Sequence, residues 1–508
     1  MITKHKLFLL IAVATLVRCC IATTLNLGND EVYYLTYAQH LQWNYFDHPP
    51  MVALLIRLTT LNLWLTNDFF VRLGSILFSG INTYLIYAIG TKIKNENTGF
   101  IAAVLFSTSI YSSIIAGVFI LPDAPQLFFW MVSLWLLIEI VTTNTSKNQL
   151  NINLLLFGLT TGLCVMSKIH GVFLWLGFGL YILIYKRNLL SNVYLYLAVL
   201  LTLMLISPIL FWNIDNHFIT YTFHSNRVSI HSGLNSSSFF RELFGGILYN
   251  NPINYFLISI TLIAMCKNQI TLAQPVKRIL LLSGLPLLVI ILFISLFRDT
   301  LPHWSGPGFT ALLLLAACFI DDKTKLNTTN ISKAVAYSGV LILVVVVSGI
   351  LVINYYPGTI GDKKEESLGK KDVTLDMYGW DFFKKEFDNL HQKDLYLKKT
   401  KTNFIITNKW FPGAHIDNYI AQPLHLDFVA LGKLEDIHTY AWLNAYRKKI
   451  KKGDDAYFIT VSNSFSNPKD SYKMLFEKIN SPVIIKQYRN NKPTRNMLVY
   501  LLEGYKGE

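Results

Sequence analysis

The chain has 508 residues, of which 52% are hydrophobic and only 15% charged, with a net charge of +14. Soluble domains carry about 25% charged residues, so the shortfall argues against a wholly soluble protein. The basic excess does not point to nucleic acid: much of it lies in short loops between apolar runs, where the positive-inside rule accounts for it, and much of the rest in a solvated, Lys-rich tail.

A membrane span needs about 20 apolar residues. Candidate spans, in chain order, are 7–25, 70–91, 99–119, 125–143, 152–167, 171–185, 191–212, 243–265, 277–297, 307–320 and 333–353. The first follows Lys4 and Lys6 but lacks a small-x-small cleavage site, so it reads as an uncleaved span. With the N-terminus inside, internal segments and span edges of the membrane domain carry more basic residues, from Lys4 and Lys6 through Lys92 and Lys94 to Lys325 and Lys333, than the external ones, which hold Arg57, Arg72, Lys168, Arg227, Arg241 and Arg298. About eleven spans then put the C-terminus outside. The expectation is a mainly α polytopic helical bundle with a C-terminal extracytoplasmic α/β domain. Its parts are a membrane domain 1–353 with a first external loop 26–69, a linker 354–372 and a soluble domain 373–508. The expected location is the plasma (inner) membrane, multi-pass, N-terminus cytoplasmic and C-terminal domain periplasmic. All five cysteines lie in or beside apolar runs, so no disulfide framework or zinc motif is expected.

The loop 26–69 carries two motifs. Gly28-Asn29-Asp30-Glu31 puts two adjacent carboxylates at the membrane surface, which suits a general base and a neighbour that tunes it. The same residues also suit a helix N-terminus, ahead of an amphipathic stretch with Tyr33, Tyr34 and Tyr37 that reads as interfacial. Residues 51–65 are apolar but short, and read the same way. Between them, Tyr45-Phe46-Asp47-His48-Pro49-Pro50 is a stiff turn with an Asp-His pair. It suits phosphate binding, a metal or a proton relay, or is simply a rigid turn. Two residues do not make a metal site. His303, in Leu301-Pro302-His303-Trp304, is a distant partner for Asp47, and no metal identity follows.

Further along, Asp123 sits in Leu121-Pro122-Asp123-Ala124-Pro125, level with Asp30 or else capping the next span. The spans 152–167 and 171–185 are short and resemble a hairpin whose tip holds Lys168, His170 and Gly171. A cation at membrane depth is costly and faces a polar partner, unless it snorkels to the interface. Arg227, in Phe223-His224-Ser225-Asn226-Arg227, suits a bidentate grip on phosphate, or contact with lipid headgroups. In the tail, 404–407, 457–461 and 496–502 read as strands, and 380–391 and 435–451 as helices.

These motifs, as they stand in GNDEVYYLTYAQHLQWNYFDHPPMVALLIRL, LPDAPQLFFW, GLCVMSKIHGVFLWLG, SPILFWNIDNHFITYTFHSNR, LPHWSGPGF, TLDMYGW and WFPGAHIDNYIAQPL, occur in an order that resembles bacterial members of the protein O-mannosyltransferase-like (dolichyl-phosphate-mannose-protein mannosyltransferase-like) glycosyltransferases. That family has the GT-C fold and is related to the lipid A aminoarabinose transferase. The resemblance implies inverting sugar transfer from a polyprenyl-phosphate-linked donor to a cell-envelope acceptor (lipid, glycan or protein) on the external face. It implies Asp30 as base with Glu31 beside it, Asp123 as a second acid near the acceptor, and His48, Lys168 and Arg227 on the donor phosphate. Asp47, His170 and His303 are secondary candidates. The aminoarabinose transferase has Glu-Lys-Pro-Pro where this chain has Asp47-His48-Pro49-Pro50. There the acid helps hold a metal and the lysine approaches the phosphate. Here His48 replaces that lysine, and a divalent metal is left open, with no cofactor required.

The rival from another class is a transporter or flippase of polyprenyl-linked sugars. Against it, no repeated halves or paired broken segments are seen, and the acids lie on external loops. An inactive subunit on the same fold is disfavoured by the presence of both Asp30 and Asp123.

Overall fold

The computed structural model describes residues 2–142, 146–228, 233–325 and 329–507. The chain forms two compact units. One is Met1–Ala22 with Leu41–Val346; the other is Thr23–His40 with Val347–Glu508. The second unit therefore includes part of the segment 26–69 as well as the tail.

The first unit is helical. Its elements include α1 (Ile2–Thr24, whose last two residues pass into the second unit), α3 (Met51–Thr59), α4 (Asp68–Ile93), α5 (Glu96–Thr108), α6 (Asp123–Thr142), α7 (Lys147–Ser167), α8 (Val172–Tyr185), α9 (Val193–Asp215) and α10 (Ile219–Val228). They continue with α11 (Ser236–Tyr249), α12 (Pro252–Cys266), α13 (Gln274–Ser295), α14 (Gly306–Lys325) and α15 (Thr329–Tyr355), the last running on into the second unit; α2 (Asn29–Gln39) belongs to the second unit. Among the described residues, seven helices are long and apolar enough to cross a membrane, or up to eight if a bent pair counts as one span. The protein is a multi-pass membrane protein.

The bent pair corrects one expectation. Residues 243–265 do not form a straight span: α11 and α12 meet at 100°. Asn251 takes a left-handed φ of 65° and Pro252 opens the next helix, a combination that ends one helix and starts another. The bundle core is apolar, with Trp130 and Leu134 of α6, Phe157 of α7, Leu280 of α13 and the run Ala311–Ile320 of α14 all buried.

The second unit is α/β, with α16 (Trp380–Tyr396), α17 (Trp410–Ile416) and strands β1 (Phe404–Thr407), β2 (Asp427–Ala430), β3 (Ala456–Val461), β4 (Phe476–Ile479), β5 (Val483–Arg489) and β6 (Lys492–Tyr505). The sheet runs β2-β1-β3-β6-β4, with β5 paired to β6. β1 is parallel to β2 and β3, and β6 is antiparallel to all its neighbours. The helix expected over 435–451 is replaced by short turns, broken where His438 takes a φ of 50°. The expected interfacial helix around Tyr33 is instead buried: Tyr33, Tyr34 and Tyr37 are all covered. All five cysteines are free thiols.

Candidate active site

In the helical unit, α6 begins at Asp123, whose carboxylate points into the bundle. Asp123 Oδ2 lies 2.7 Å from Lys168 Nζ, and the two side chains are 2% and 4% exposed. Tyr111 donates its hydroxyl to Asp123 Oδ1 at 3.4 Å, and His303 Nε2 is 4.0 Å from Asp123 Oδ2. His170 feels the charges of Lys168, Asp123, His48 and His303, so these groups form one electrostatic cluster. Burial, with help from Lys168, holds His303 down to about 4 despite the pull of Asp123, leaving its imidazole neutral near pH 7.

Two glycines let the cluster form. Lys168 is extended (φ −158°, ψ 136°) at the end of α7, and the chain then folds tightly back. A Cβ on Gly171 would sit 2.7 Å from the Val165 nitrogen, so the return needs glycine. A Cβ on Gly306 would lie 2.4 Å from the Tyr111 ring, so this glycine leaves room for the ring beside Asp123. Lys168 is thus buried and paired, not snorkelling to an interface.

The turn with Asp47 and His48 is half-buried and closed by a hydrogen bond from Tyr45 N to His48 O (3.1 Å). It is pinned to α10: Asn44 Nδ2 donates to the Thr220 hydroxyl at 3.0 Å, that hydroxyl donates to Tyr45 O at 3.1 Å, and Phe46 packs on Phe223 at 4.6 Å between centroids. Arg227 belongs to the same helix, α10; its side chain lies outside the described residues. Among the described residues, no three His, Cys, Asp or Glu side chains are grouped as metal ligands.

In the second unit, Asp30 and Glu31 occupy the first turn of α2. Their surroundings differ. Glu31 is buried, and its Oε2 accepts from Gly28 N at 2.8 Å, half of a capping box. Asp30 is exposed. The two tail motifs close around this turn. Asn29 Oδ1 accepts from His415 Nε2 at 2.9 Å, and the Asn29 side chain also hydrogen-bonds Asp376. Leu27 N donates to the Tyr419 hydroxyl at 2.7 Å, and Asn26 N to Met377 O at 3.2 Å.

A layered stack backs His415. Trp380 lies on its ring at 4.1 Å and 9°, and the Arg495 guanidinium lies 4.2 Å over Trp380. Arg495 is itself spent on Gln487, Leu375 and Tyr378. Burial forces the His415 imidazole well below its usual range and raises Asp376 to about 6, against Asn29 and Arg495, which pull it down. Sequence reasoning missed His415, Asp376 and Arg495. The signal was present: TLDMYGW and WFPGAHIDNYIAQPL contain the first two, with no chemistry attached to them.

A bundle of apolar helices joined in one chain to an α/β domain is an architecture shared with solved membrane proteins. Residues 47–212 match the family model described as dolichyl-phosphate-mannose-protein mannosyltransferase. No curated protein matches the chain by sequence. Among solved structures, ArnT from Cupriavidus metallidurans in the apo state is similar at TM-score 0.63 and 12% identity, over 98% of each chain. ArnT bound to undecaprenyl phosphate is similar at TM-score 0.62 and 14% identity, over 97% of each chain. An oligosaccharyltransferase from Archaeoglobus fulgidus in the apo form is similar at TM-score 0.50 and 12% identity, over 96% of this chain and 74% of that one. The chain has the GT-C fold of membrane glycosyltransferases, and its segment 47–212 carries the mannosyltransferase family's sequence pattern.

Proposed function

We propose that the protein transfers a sugar from a polyprenyl-phosphate-linked donor to a cell-envelope acceptor, with inversion, at the periplasmic face of the inner membrane. The N-terminus is cytoplasmic in this reading, and the second unit periplasmic.

The observation that carries the proposal is the state of Lys168. An ammonium has three donors, and the one partner Lys168 has among the described residues is Asp123. A buried cation with donors to spare is suited to a phosphate, where its charge counts for more than in water. Asp123 keeps the ammonium in place, His170 and His303 lie within its electrostatic reach, and His48 acts in turn on His170. Arg227 is assigned to the same phosphate from the family pattern. Undecaprenyl phosphate is the ligand named for one ArnT structure, in keeping with that class of donor.

The acceptor oxygen attacks the anomeric carbon from the face opposite the phosphate. The carbon–oxygen bond to phosphate breaks, and its electron pair leaves with the polyprenyl phosphate. Asp30, exposed in the first turn of α2, takes the acceptor proton. Glu31 shapes the turn.

The test incubates the purified protein with a panel of radiolabelled polyprenyl-phosphate sugars. Release of polyprenyl phosphate, by transfer or by slow hydrolysis, is expected for one sugar class. Donor binding and translocation with no cleavage of any member would overturn the reading in favour of a flippase.

A further inference from the structure

Arg18 lies in α1, six residues before the helix ends at Thr24, and is only 2% exposed. Its Nε–H donates to Ser113 O at 3.2 Å. Its two terminal nitrogens, Nη1 and Nη2, are buried and have no hydrogen-bond partner among the described residues. The other deeply buried arginine of this unit, Arg72, is provided for: Nη1 reaches Ala22 O at 3.3 Å, and the guanidinium lies 5.7 Å over the Phe119 ring. A guanidinium has five donors in a fixed fork, and one left unmatched at membrane depth is costly. Arg18 therefore lacks an anion.

The space for one is present. Arg18 lines a cavity of about 270 Å³ between α1, the end of α5 and α15. Thr108 and Ser113 lie at its polar end, and Val13, Leu343 and Val346 make its wall aliphatic. Val13 and Leu343 are 50% and 54% exposed, so the cavity opens sideways. It opens toward bulk lipid, because α15 is the least buried spanning helix, with 6% of its apolar window covered.

We propose that this cavity is a binding site for an anionic membrane phospholipid. Nη1 and Nη2 hold the headgroup phosphate as a two-pronged donor, and one acyl chain lies in the aliphatic trough between α1 and α15. None of the residues assigned to sugar transfer takes part, so the site stands or falls apart from that assignment.

The experiment is native mass spectrometry of the delipidated full-length protein after adding back phosphatidylglycerol, diacylglycerol or undecaprenyl phosphate. Wild type is expected to retain one phosphatidylglycerol, and Arg18→Leu to retain at least tenfold less. Diacylglycerol, which lacks the phosphate, is expected not to be retained. Gly339 also lines the cavity, and a Cβ there meets nothing within 4 Å. Gly339→Leu therefore enters the trough from a position with room for its Cβ, and is expected to lose the lipid while Arg18 stays intact. That variant decides the matter if Arg18→Leu does not fold. Equal retention by Gly339→Leu, equal binding of diacylglycerol, no lipid on the wild type, or Arg18-dependent binding of undecaprenyl phosphate in preference to phosphatidylglycerol would each overturn the proposal.

Discussion

Two lysine–aspartate sites among the described residues of the helical unit are built differently: the pair at Lys168 is buried, whereas Lys94 is partly exposed. At the turn between α4 and α5, Lys94 reaches Cys318 O at 2.7 Å, Asp322 at 2.8 Å and Asp321 at 3.1 Å, so all three donors are used. Asp321 is further held by Asn95 at 2.9 Å and Asn97 at 2.7 Å. At the start of α6, Lys168 meets Asp123 alone among the described residues, beside His170 and His303. The neighbouring acids of the second unit differ in burial: Glu31 is buried on a backbone amide, whereas Asp30 is exposed. Saturated polar groups hold a fold together; groups with capacity left over are where a ligand fits.

The largest expected effect lies in the carboxylate pair. Asp30→Asn should lower transfer by about 10²–10⁴-fold, the span of general-base catalysis, with donor affinity kept. Glu31→Ala should cost about 1–3 kcal/mol of stability through the unpaired Gly28 amide, with a far smaller loss of rate in the fraction that stays folded. Steady-state kinetics beside thermal melts separate the two. Full activity in a correctly inserted Asp30→Asn protein would erase the contrast.

Next come the lysines. Lys168→Ala should weaken donor binding and cut turnover by about 10²–10³-fold, as loss of one donor to a developing oxyanion does. Lys94→Met strips a cation from Asp321, which is buried, and from Asp322, which is partly exposed, and should cost about 1–3 kcal/mol, leaving donor affinity unchanged in folded protein. If Lys94→Met weakens the donor and Lys168→Ala only destabilises, the two sites have been assigned the wrong way round.

Sequence alone could not separate these copies. Seven of the expected spans were legible because apolar length is a local property, and β1 because Phe404-Ile405-Ile406-Thr407 is a run of aromatic and β-branched residues. The 100° break at Asn251 was less so, since apolar residues continue on both sides of it. Asp123 and Lys168 were readable as odd residues at span ends, but their pairing depends on α6 and α7 packing side by side and on Gly171 returning the chain. His415 was illegible as a site residue because its partner, Asn29, is almost four hundred positions away in sequence.

That contact sharpens the comparison within the second unit. Asn29 is engaged by both His415 and Asp376, so it belongs with the saturated groups and acts by placing the turn that carries Asp30. His415→Ala should lower kcat by about tenfold with little change in donor KM, as a small misplacement of a catalytic group does. His415→Gln, whose amide can still donate to Asn29, should recover most of it. A KM effect in place of a kcat effect would move His415 from positioning to substrate binding.

The smallest effect expected is a pH dependence of the same turn. Burial raises Asp376 to about 6 from an ordinary value of 3.8, so the folded protein binds a proton there more tightly than the unfolded chain does. Stability from this group is therefore fully present below pH ~4 and is lost as pH rises through about 6. Asp376→Asn keeps an oxygen for Asn29 but cannot ionise. The difference between variant and wild type, read as hydrogen-exchange protection of the α2 amides, should grow in the variant's favour from pH ~4 to ~7. A difference that stays flat or reverses over that range would mean that Arg495 and Asn29 hold Asp376 ionised in the fold, and that its charge helps to fasten the Asp30 turn.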